Sequence, residues 1–487
     1  VAELTRIVIL GGGVTGHAVA AFLSHALFNT GIRICLLELD SNRDGQKIEV
    51  ESLAPTTQVF HENLGFNEAD LLSATRGTFN LGYRFEDWLE CGSDFVQGYN
   101  ASGVNFGDID FQNFYTKISS EMNFPAYDYF SLAALAAKKN RFAHPTNDQR
   151  SVLSTIEYGI NLDSNRYANV LKKYSIENSV EFISGNFIAA ELDEAGFIRH
   201  ILLDTARIEG DFFIDCSGTS ALLLGRTLGV KYTDWSAYCA ANSTANYIQP
   251  HARNIPVTTT LKLLEGCWTK AVHLQPCSVN TVVFNNDVIT PDKIQTLVDV
   301  EMTFSSLTPG YRRESWYKNV VGFGAAVANF EPLAFSGMDV LYKNLKSFLP
   351  LLPLDRRDCS LNAEEFNRQS AQTYERLRDY HLSHHLLAGG VAITPISIPD
   401  ELAHRIELFR ARGKVPRYDD EIIPADMWVS LFIGMGLMPQ GYHPLVDAMD
   451  GPELREQIRR ITQIMQQTAD QLPSHDDYLN RYMQWKP

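Results

Sequence analysis

Basic residues are in deficit: 42 lysines and arginines stand against 58 aspartates and glutamates, a formal charge of −16. A protein that grips a phosphate backbone needs a clustered basic face. Here only short pairs such as Lys138-Lys139, Arg312-Arg313 and Arg459-Arg460 occur, and they read as solvated faces, so no nucleic acid is expected as partner. Cysteine is also sparse. Cys35, Cys91, Cys216, Cys239, Cys267, Cys277 and Cys359 stand far apart and form no CxxC pair. That spacing removes both a zinc cluster and a disulfide framework, and scattered single thiols suit a reducing compartment. Long apolar runs are missing as well. Ile7-Val8-Ile9-Leu10 is far too short to cross a bilayer, and no cleavable signal precedes it. The expectation is a cytoplasmic protein with no membrane partner. There is no internal repeat, and the short Leu/Pro run from Phe348 to Leu354 is the one hint of low complexity.

What the chain does have is enough apolar material for a large core, 45% of 487 residues, so neither disulfides nor metal are needed for stability. The length exceeds one small domain. Arg6 to Leu10 is an apolar run that enters glycine directly, as a buried parallel strand does. His17 to Phe28 follows with helical spacing, and Ile32 to Leu37 is a second apolar run ending in Glu38, completing a βαβ unit. Residues 55 to 175 read as mostly helical with aromatic-rich loops. Val180 to Leu203 alternates on both sides of Asp193-Glu194-Ala195-Gly196, a hairpin feeding the strand Phe212-Phe213-Ile214. Pro256 to Val288 is rich in strand pattern. Further on, Leu341, Leu345 and Phe348 share one helical face, as do Leu454, Ile458, Ile461 and Met465. The expected fold class is α/β: a Rossmann-like dinucleotide domain with mixed β-sheet and inserted substrate segments over 1–340, then a mostly helical substrate lobe over 341–487.

Gly11-Gly12-Gly13-Val14-Thr15-Gly16 satisfies G-x-G-x-x-G. The first glycine permits the tight turn, the second lets backbone approach a pyrophosphate, and the third brings helix and strand together. The helix N-terminus then offers free N–H groups and a positive dipole end. Glu38 stands at a strand end 22 residues beyond Gly16, placed to accept from ribose hydroxyls and to disfavour a 2′-phosphate. A distant strand returning with Asp215-Cys216-Ser217-Gly218, and Gly322-Phe323-Gly324 after Val320-Val321, is the pattern of a fold that holds an extended flavin. FAD is therefore the expected cofactor.

Thr78-Phe79-Asn80-Leu81-Gly82-Tyr83-Arg84-Phe85-Glu86-Asp87-Trp88, Ile214 to Gly218 with Leu222-Leu223, Asn319-Val320-Val321 through Glu331-Pro332-Leu333, Arg378-Asp379-Tyr380 with His384-His385, and Gly434-Met435-Gly436 through Tyr442-His443-Pro444 occur in that order. Together they resemble the flavin-dependent tryptophan halogenase family over most of the chain. The resemblance implies that Gly13, Val14, Thr15, Gly16 and Glu38 hold the adenosine diphosphate part of FAD. It further implies that Leu333 and Met338 touch the ring system and that a strand residue near Ile188 touches the adenine. That family makes hypohalous acid from a flavin hydroperoxide and halide, and passes it through a tunnel to a lysine assisted by a glutamate beside an aromatic substrate. The resemblance also implies FADH2 supplied by a separate flavin reductase.

The same alignment of motifs exposes departures. The lysine position is Asn80, and a carboxamide is neither basic nor usefully nucleophilic. The glutamate position is Ala334, which accepts no proton. The family's G-W-x-W-x-I-P block reads Gly266-Cys267-Trp268-Thr269-Lys270-Ala271-Val272, and its G-V-G-E-A flavin-covering block reads Ile48-Glu49-Val50-Glu51-Ser52. Ser336 and Gly337 precede a helical run, so they form either the halide corner for chloride or bromide or a dipole aimed at reduced flavin. Lys270 is a candidate stand-in for the lost lysine, with a solvated surface lysine as the favoured alternative. His384 and His385 are read as structural before acid–base, and Arg84 with Glu86 as an ion pair before catalysis. Tyr127, Tyr129 and Phe130 suit a planar substrate or core packing equally, and Asn80 itself is a candidate for positioning a substrate polar group.

The expected function is thus an FAD-dependent oxidoreductase of that family, a two-component FADH2- and O2-dependent, monooxygenase-like enzyme for a small aromatic or amino-acid-like substrate. Two rivals stand beside it: a true halogenase with a displaced lysine, and a non-catalytic flavin-binding partner protein. A homodimer is compatible with either, and no metal is expected.

Overall fold

The computed structural model describes residues 4–39, 48–119, 124–239, 241–251, 253–335, 337–353, 359–389, 397–418, 421–448 and 451–484. The βαβ unit forms as its pattern predicts: strand Arg6–Leu10, helix Val14–Ala26, strand Arg33–Leu39. These strands lie at the heart of a six-stranded sheet. Its order is Trp316–Tyr317, Val320–Gly322, Phe212–Asp215, Arg6–Leu10, Arg33–Leu39 and Glu181–Gly185, parallel except at the Trp316–Tyr317 edge. The period of two along the first strand divides the interior. Val8 and Leu10 join one core cluster and Ile7 and Ile9 the other, all with no exposed surface.

A second, seven-stranded sheet carries Pro256 to Val288 as the strands Thr259–Leu264, Cys267–His273 and Cys277–Phe284. Residues 55 to 175 depart from the mostly helical expectation. Between their helices lie Thr78–Asn80, Gly82–Glu86, Asp94–Gly98 and Gly159–Asp163. Gly82–Glu86 pairs in parallel with Thr259–Leu264, and Gly159–Asp163 pairs with both Val50–Leu53 and Thr78–Asn80. These strands are short and glycine-bounded, so their pairing partners, far away in sequence, decide them.

The hairpin about Asp193 to Gly196 forms between Phe187–Leu192 and Ile198–Leu203. Beyond it the C-terminal third is helical: Gly337–Phe348, Ser360–Leu387, Asp400–Arg412, Ala425–Gly434, Gly451–Gln471 and His475–Gln484. Helix Gly337–Phe348 runs through positions 340 and 341, and both large core clusters draw residues from either side, Trp428 and Leu454 in one and Met465 and Leu479 in the other. Among the described residues no helix is long and apolar enough to cross a membrane, and no cluster of His, Cys, Asp and Glu has the makings of a metal site.

Candidate functional site

Three parallel strands end side by side, Leu10 opposite Asp215 and Asp215 opposite Gly322, so the segments that follow them meet at one edge of the sheet. Gly11 turns there at φ +123, with its α-carbon so near Cys216 that a Cβ would lie 2.2 Å from the Cys216 carbonyl oxygen. A Cβ on Gly16 would meet the Gly11 carbonyl oxygen at 1.8 Å, which is the close helix–strand approach the third glycine exists for. Gly13 differs: nothing of the chain lies within 4 Å of its missing Cβ. It is the N-cap of helix Val14–Ala26 without a side-chain cap, so the first-turn N–H groups face open space. Glu38 sits beside this turn, its two oxygens accepting from Lys172 Nζ at 2.7 and 2.8 Å, a partner that no local pattern announces. Ile188 lies on Phe187–Leu192, 51% exposed. Asp215 is a frame residue, accepting from the Leu223 and Leu224 N–H groups at 2.9 Å each and from the Ser217 hydroxyl.

The turn opens on a cavity of about 320 Å³, reached by Thr15 and Gly324. Glu51 and Ser52 of strand Val50–Leu53 line it, with Lys270 of Cys267–His273 and with Phe335, Gly337 and Met338 at the entrance to helix Gly337–Phe348. A larger groove of about 740 Å³ runs between Trp316–Lys318 and helix Ser360–Leu387. It shares no residue with the glycine turn, so the smaller cavity is the candidate site. Of the anticipated ring contacts, Met338 is on the cavity wall, whereas Leu333 is fully buried in the core and off that wall. Gly337 begins the helix and lines the cavity; Ser336 lies outside the described residues.

Lys270 is not the solvated surface lysine that its strand position suggests. It is half-buried on the cavity wall, and burial lowers its ammonium to about 8 against the pull of Glu51 and Asp339. Glu51 is its counterpart. Burial first, then the neighbouring Asp339, raise its carboxyl to about 7, while Lys270 and Ser164 draw it down. Asp339, which sequence reading missed, is buried and accepts from the Ala54 N–H at 2.9 Å. An acid one turn into a helix that starts at a cavity was the available signal.

Asn80, with no exposed surface, is consumed by its surroundings. Its Nδ2 donates to Ser52 Oγ at 2.9 Å and Tyr99 OH at 3.0 Å, and its Oδ1 accepts from the Gly82 and Thr259 N–H groups at 3.1 and 3.3 Å. Ala334 is buried, its carbonyl accepting from His381 Nε2 at 2.6 Å. Next to it, Phe335 holds φ +59 and donates its N–H to the buried Tyr83 hydroxyl at 2.7 Å. Glu331, also missed, is on the cavity lining and is held by Trp268 Nε1 at 2.8 Å, His385 Nε2 at 2.9 Å and Cys239 Sγ at 3.3 Å. Burial pushes its carboxyl up, but these partners outweigh burial and hold it well below the usual carboxylate range.

The remaining candidates are structural. His384 donates from Nδ1 to the Tyr380 carbonyl at 2.8 Å and stacks on Phe85. Arg84 grips Asp94 with two hydrogen bonds and lies 3.7 Å from Glu86. Tyr127 and Phe130 are core residues, and Tyr129 carries the Lys138 ammonium over its ring at 4.8 Å.

Residues 6–451 match the family described as tryptophan halogenase. The chain belongs to the tryptophan halogenase family. Among its relatives, the 7-chloro-L-tryptophan 6-halogenase KtzR of Kutzneria sp. (strain 744) is 24% identical, over 97% of this chain and 99% of that protein. Among solved structures, BrvH, a flavin-dependent halogenase from Brevundimonas sp. BAL3, superposes with a TM-score of 0.94 at 27% identity over 99% of each chain. Xcc4156, a flavin-dependent halogenase from Xanthomonas campestris, gives 0.92 at 29% identity, over 99% of this chain and 98% of that one. The family's fold therefore extends over nearly the whole chain, Asn80 and Ala334 included.

Proposed function

We propose that this family member is an FAD-dependent oxidoreductase that receives FADH2 from a separate flavin reductase and oxygenates a small aromatic or amino-acid-like substrate. The observation that carries this is a contrast. The dinucleotide turn opens on a cavity, whereas Asn80 and Ala334, which we read as the two halogen-relaying positions, are an amide saturated by internal hydrogen bonds and a methyl group.

The residues fit FAD. Gly13 leaves the first helical turn uncovered toward a diphosphate, Glu38 at the strand end, held by Lys172, keeps lone pairs on its two oxygens for ribose hydroxyls, and the cavity runs from Thr15 past Glu51 and Met338 to Gly337. Bound there as FADH2, the cofactor supplies the two electrons with which dioxygen is activated. Around it Phe335 and Met338 keep the wall apolar and exclude water, and Glu51 and Lys270 hold exchangeable protons at the cavity surface. The N-terminus of helix Gly337–Phe348, at Gly337, is the proposed anion corner for a halide or an oxyanion.

The test is incubation with reductase-generated FADH2, oxygen and a panel of indoles, read by mass spectrometry with and without bromide. A product one oxygen atom heavier, formed equally in both, is expected; a brominated product that needs bromide rejects oxygenation. A second reading, a halogenase with a displaced lysine, is favoured by one observation, the presence of Lys270 on the cavity wall. A bromide-dependent product that survives Lys270→Ala unchanged removes it.

Gly13→Ala separates fold from cofactor. The added methyl meets no chain atom within 4 Å, so folding should match the parent. It stands where the diphosphate must approach, so FAD affinity measured by fluorescence titration should fall about tenfold or more. Unchanged affinity would remove the diphosphate from this turn.

A further inference from the structure

Two oppositely charged side chains face the candidate flavin cavity, and neither belongs to the family's halogen-relaying pair. Lys270 comes from the antiparallel strand Cys267–His273, between Leu261 and Thr281 on its neighbours. Glu51 comes from Val50–Leu53, opposite Leu162. Both line the same cavity as Thr15 of the dinucleotide turn and Gly324 beyond strand Val320–Gly322. The Glu51 carboxylate accepts from the Ser164 hydroxyl at 3.4 Å.

We propose that this pair selects the reduced state of the flavin: Lys270 faces the negative charge of the reduced ring, and Glu51 takes up one proton from solvent as that ring binds. The inference rests on the FAD reading above and adds to it a redox preference encoded by two residues. No electron moves in this step; the ring arrives already reduced and already ionised in solution as FADH−, so the proton that ends on a Glu51 carboxylate oxygen comes from solvent and not from the ring.

The surroundings explain why the proton goes to Glu51. Facing it are Lys270 from one strand, Asp339 and Tyr342 from helix Gly337–Phe348, Tyr167 and Ser164 from helix Ser164–Glu177, and Glu49 on its own segment. Two of those neighbours are carboxylates, and the site is withdrawn from water, so a second negative charge is costly there. Its carboxyl is already raised to about 7, and an anionic ring raises it further, because like charges close together in a low dielectric do not both stay ionised. Lys270 feels the charges of Glu51 and Asp339, and its own charge helps keep the buried His381 neutral. Once Glu51 is neutral, the ammonium is offset by Asp339 alone, which is already tied to the Ala54 N–H, and its charge is turned toward the cavity. Oxidised flavin carries no such charge and gains nothing from either residue. A protein supplied with FADH2 by a diffusing reductase needs this discrimination, because spent FAD must leave for fresh FADH2 to enter.

The test is a pair of anaerobic titrations of the whole protein, with FAD and with dithionite-reduced FAD, at several pH values from neutral to weakly alkaline. The wild type is expected to prefer the reduced form and to take up protons with it, about half a proton near pH 7 and more at the alkaline end where Glu51 starts ionised, read as the buffer dependence of the calorimetric heat. Lys270→Met should cut the reduced-over-oxidised preference about tenfold, about 1.4 kcal/mol, while Lys270→Arg retains it. Glu51→Gln should cut the proton uptake, leaving only what Lys270 gains at the alkaline end as the anion binds. An undiminished preference in Lys270→Met, or undiminished proton uptake in Glu51→Gln, overturns the inference while leaving the flavin reading intact. Failure of the wild type to bind either form sinks that reading and this one with it.

Discussion

Lowering the pH from 8 to about 5.5 is expected to remove several kcal/mol of folding stability and to bring acid unfolding well above the range of ordinary carboxylate titration. The cause is a set of histidines packed as neutral rings. His61, His273, His381, His384 and His475 are all buried. In His381, His384 and His475 one ring nitrogen donates to a backbone carbonyl, and in His273, His384 and His475 the remaining Nε2 has no hydrogen-bond partner. Burial disfavours the charged ring and lowers them to about 4, 3, 4, 3 and 4 in that order, from an ordinary 6.5. The unfolded chain then binds protons below 6.5 that the folded chain refuses, so stability is complete above 6.5 and falls as pH drops toward 4. By pH 5.5 each site costs about 1.4 kcal/mol and the five together about 7 kcal/mol. Glu51 and Asp379 pull the other way. Burial raises them to about 7 and about 6, so protonating them on the way down relieves the folded state. Two such sites return part of what five remove. Urea midpoints across this range measure the net effect, and His384→Phe, which keeps the stack on Phe85 and cannot titrate, should shallow the slope by about one proton. A midpoint unchanged between pH 7 and 5.5 rejects the argument.

That balance also marks where the sequence was readable. The βαβ unit, the hairpin about Asp193 and the amphipathic C-terminal helices follow from local pattern, because each buries a face set by its own period of two or 3.6. Leu341, Leu345 and Phe348 are buried together for that reason. The glycine turn was legible for another: its three glycines answer to steric demands fixed within the segment and its immediate partner strand. Lys270 was not legible. It lies on a strand where alternate residues normally meet solvent, and what covers it, Val50–Leu53 and the start of Gly337–Phe348, arrives from some 220 residues upstream and 70 downstream. The short strands Thr78–Asn80 and Gly82–Glu86 escaped notice on similar grounds, since their partners Gly159–Asp163 and Thr259–Leu264 are distant. Local chemistry identifies what an amide at 80 and a methyl at 334 cannot do; only the assembled sheet reveals what surrounds them.

Asn80 follows from that distinction and carries the second large effect. Were it a substrate-positioning amide, its polar atoms would be turned toward a cavity and Asn80→Ala would weaken ligand binding at little cost to the fold. Instead the side chain joins three strands. Oδ1 holds two buried backbone N–H groups, Gly82 and Thr259, and Nδ2 reaches the hydroxyls of Ser52, Tyr99 and Thr259. Removing it leaves both N–H groups unpaired in the interior, at about 1–3 kcal/mol each, and opens a small void among Thr78–Asn80, Val50–Leu53 and Thr259–Leu264. Asn80→Ala is therefore expected to cost about 3–5 kcal/mol in denaturant unfolding, with FAD affinity little changed at conditions where the protein stays folded. Asn80→Asp separates the two roles of the amide. It keeps the acceptor for Gly82 and Thr259 but replaces the donor by a buried negative charge, so its destabilisation should grow as the pH rises and the carboxyl is forced to ionise. Reinstating the family's residue is no remedy. In Asn80→Lys the ammonium loses both backbone N–H partners' acceptor and faces hydroxyls without a carboxylate, while Ala334 still offers none, so it should be at least as unstable as the alanine variant and should form no brominated product. A stable, brominating Asn80→Lys protein would mean that the amide is a vacant catalytic position and not the joint between three strands.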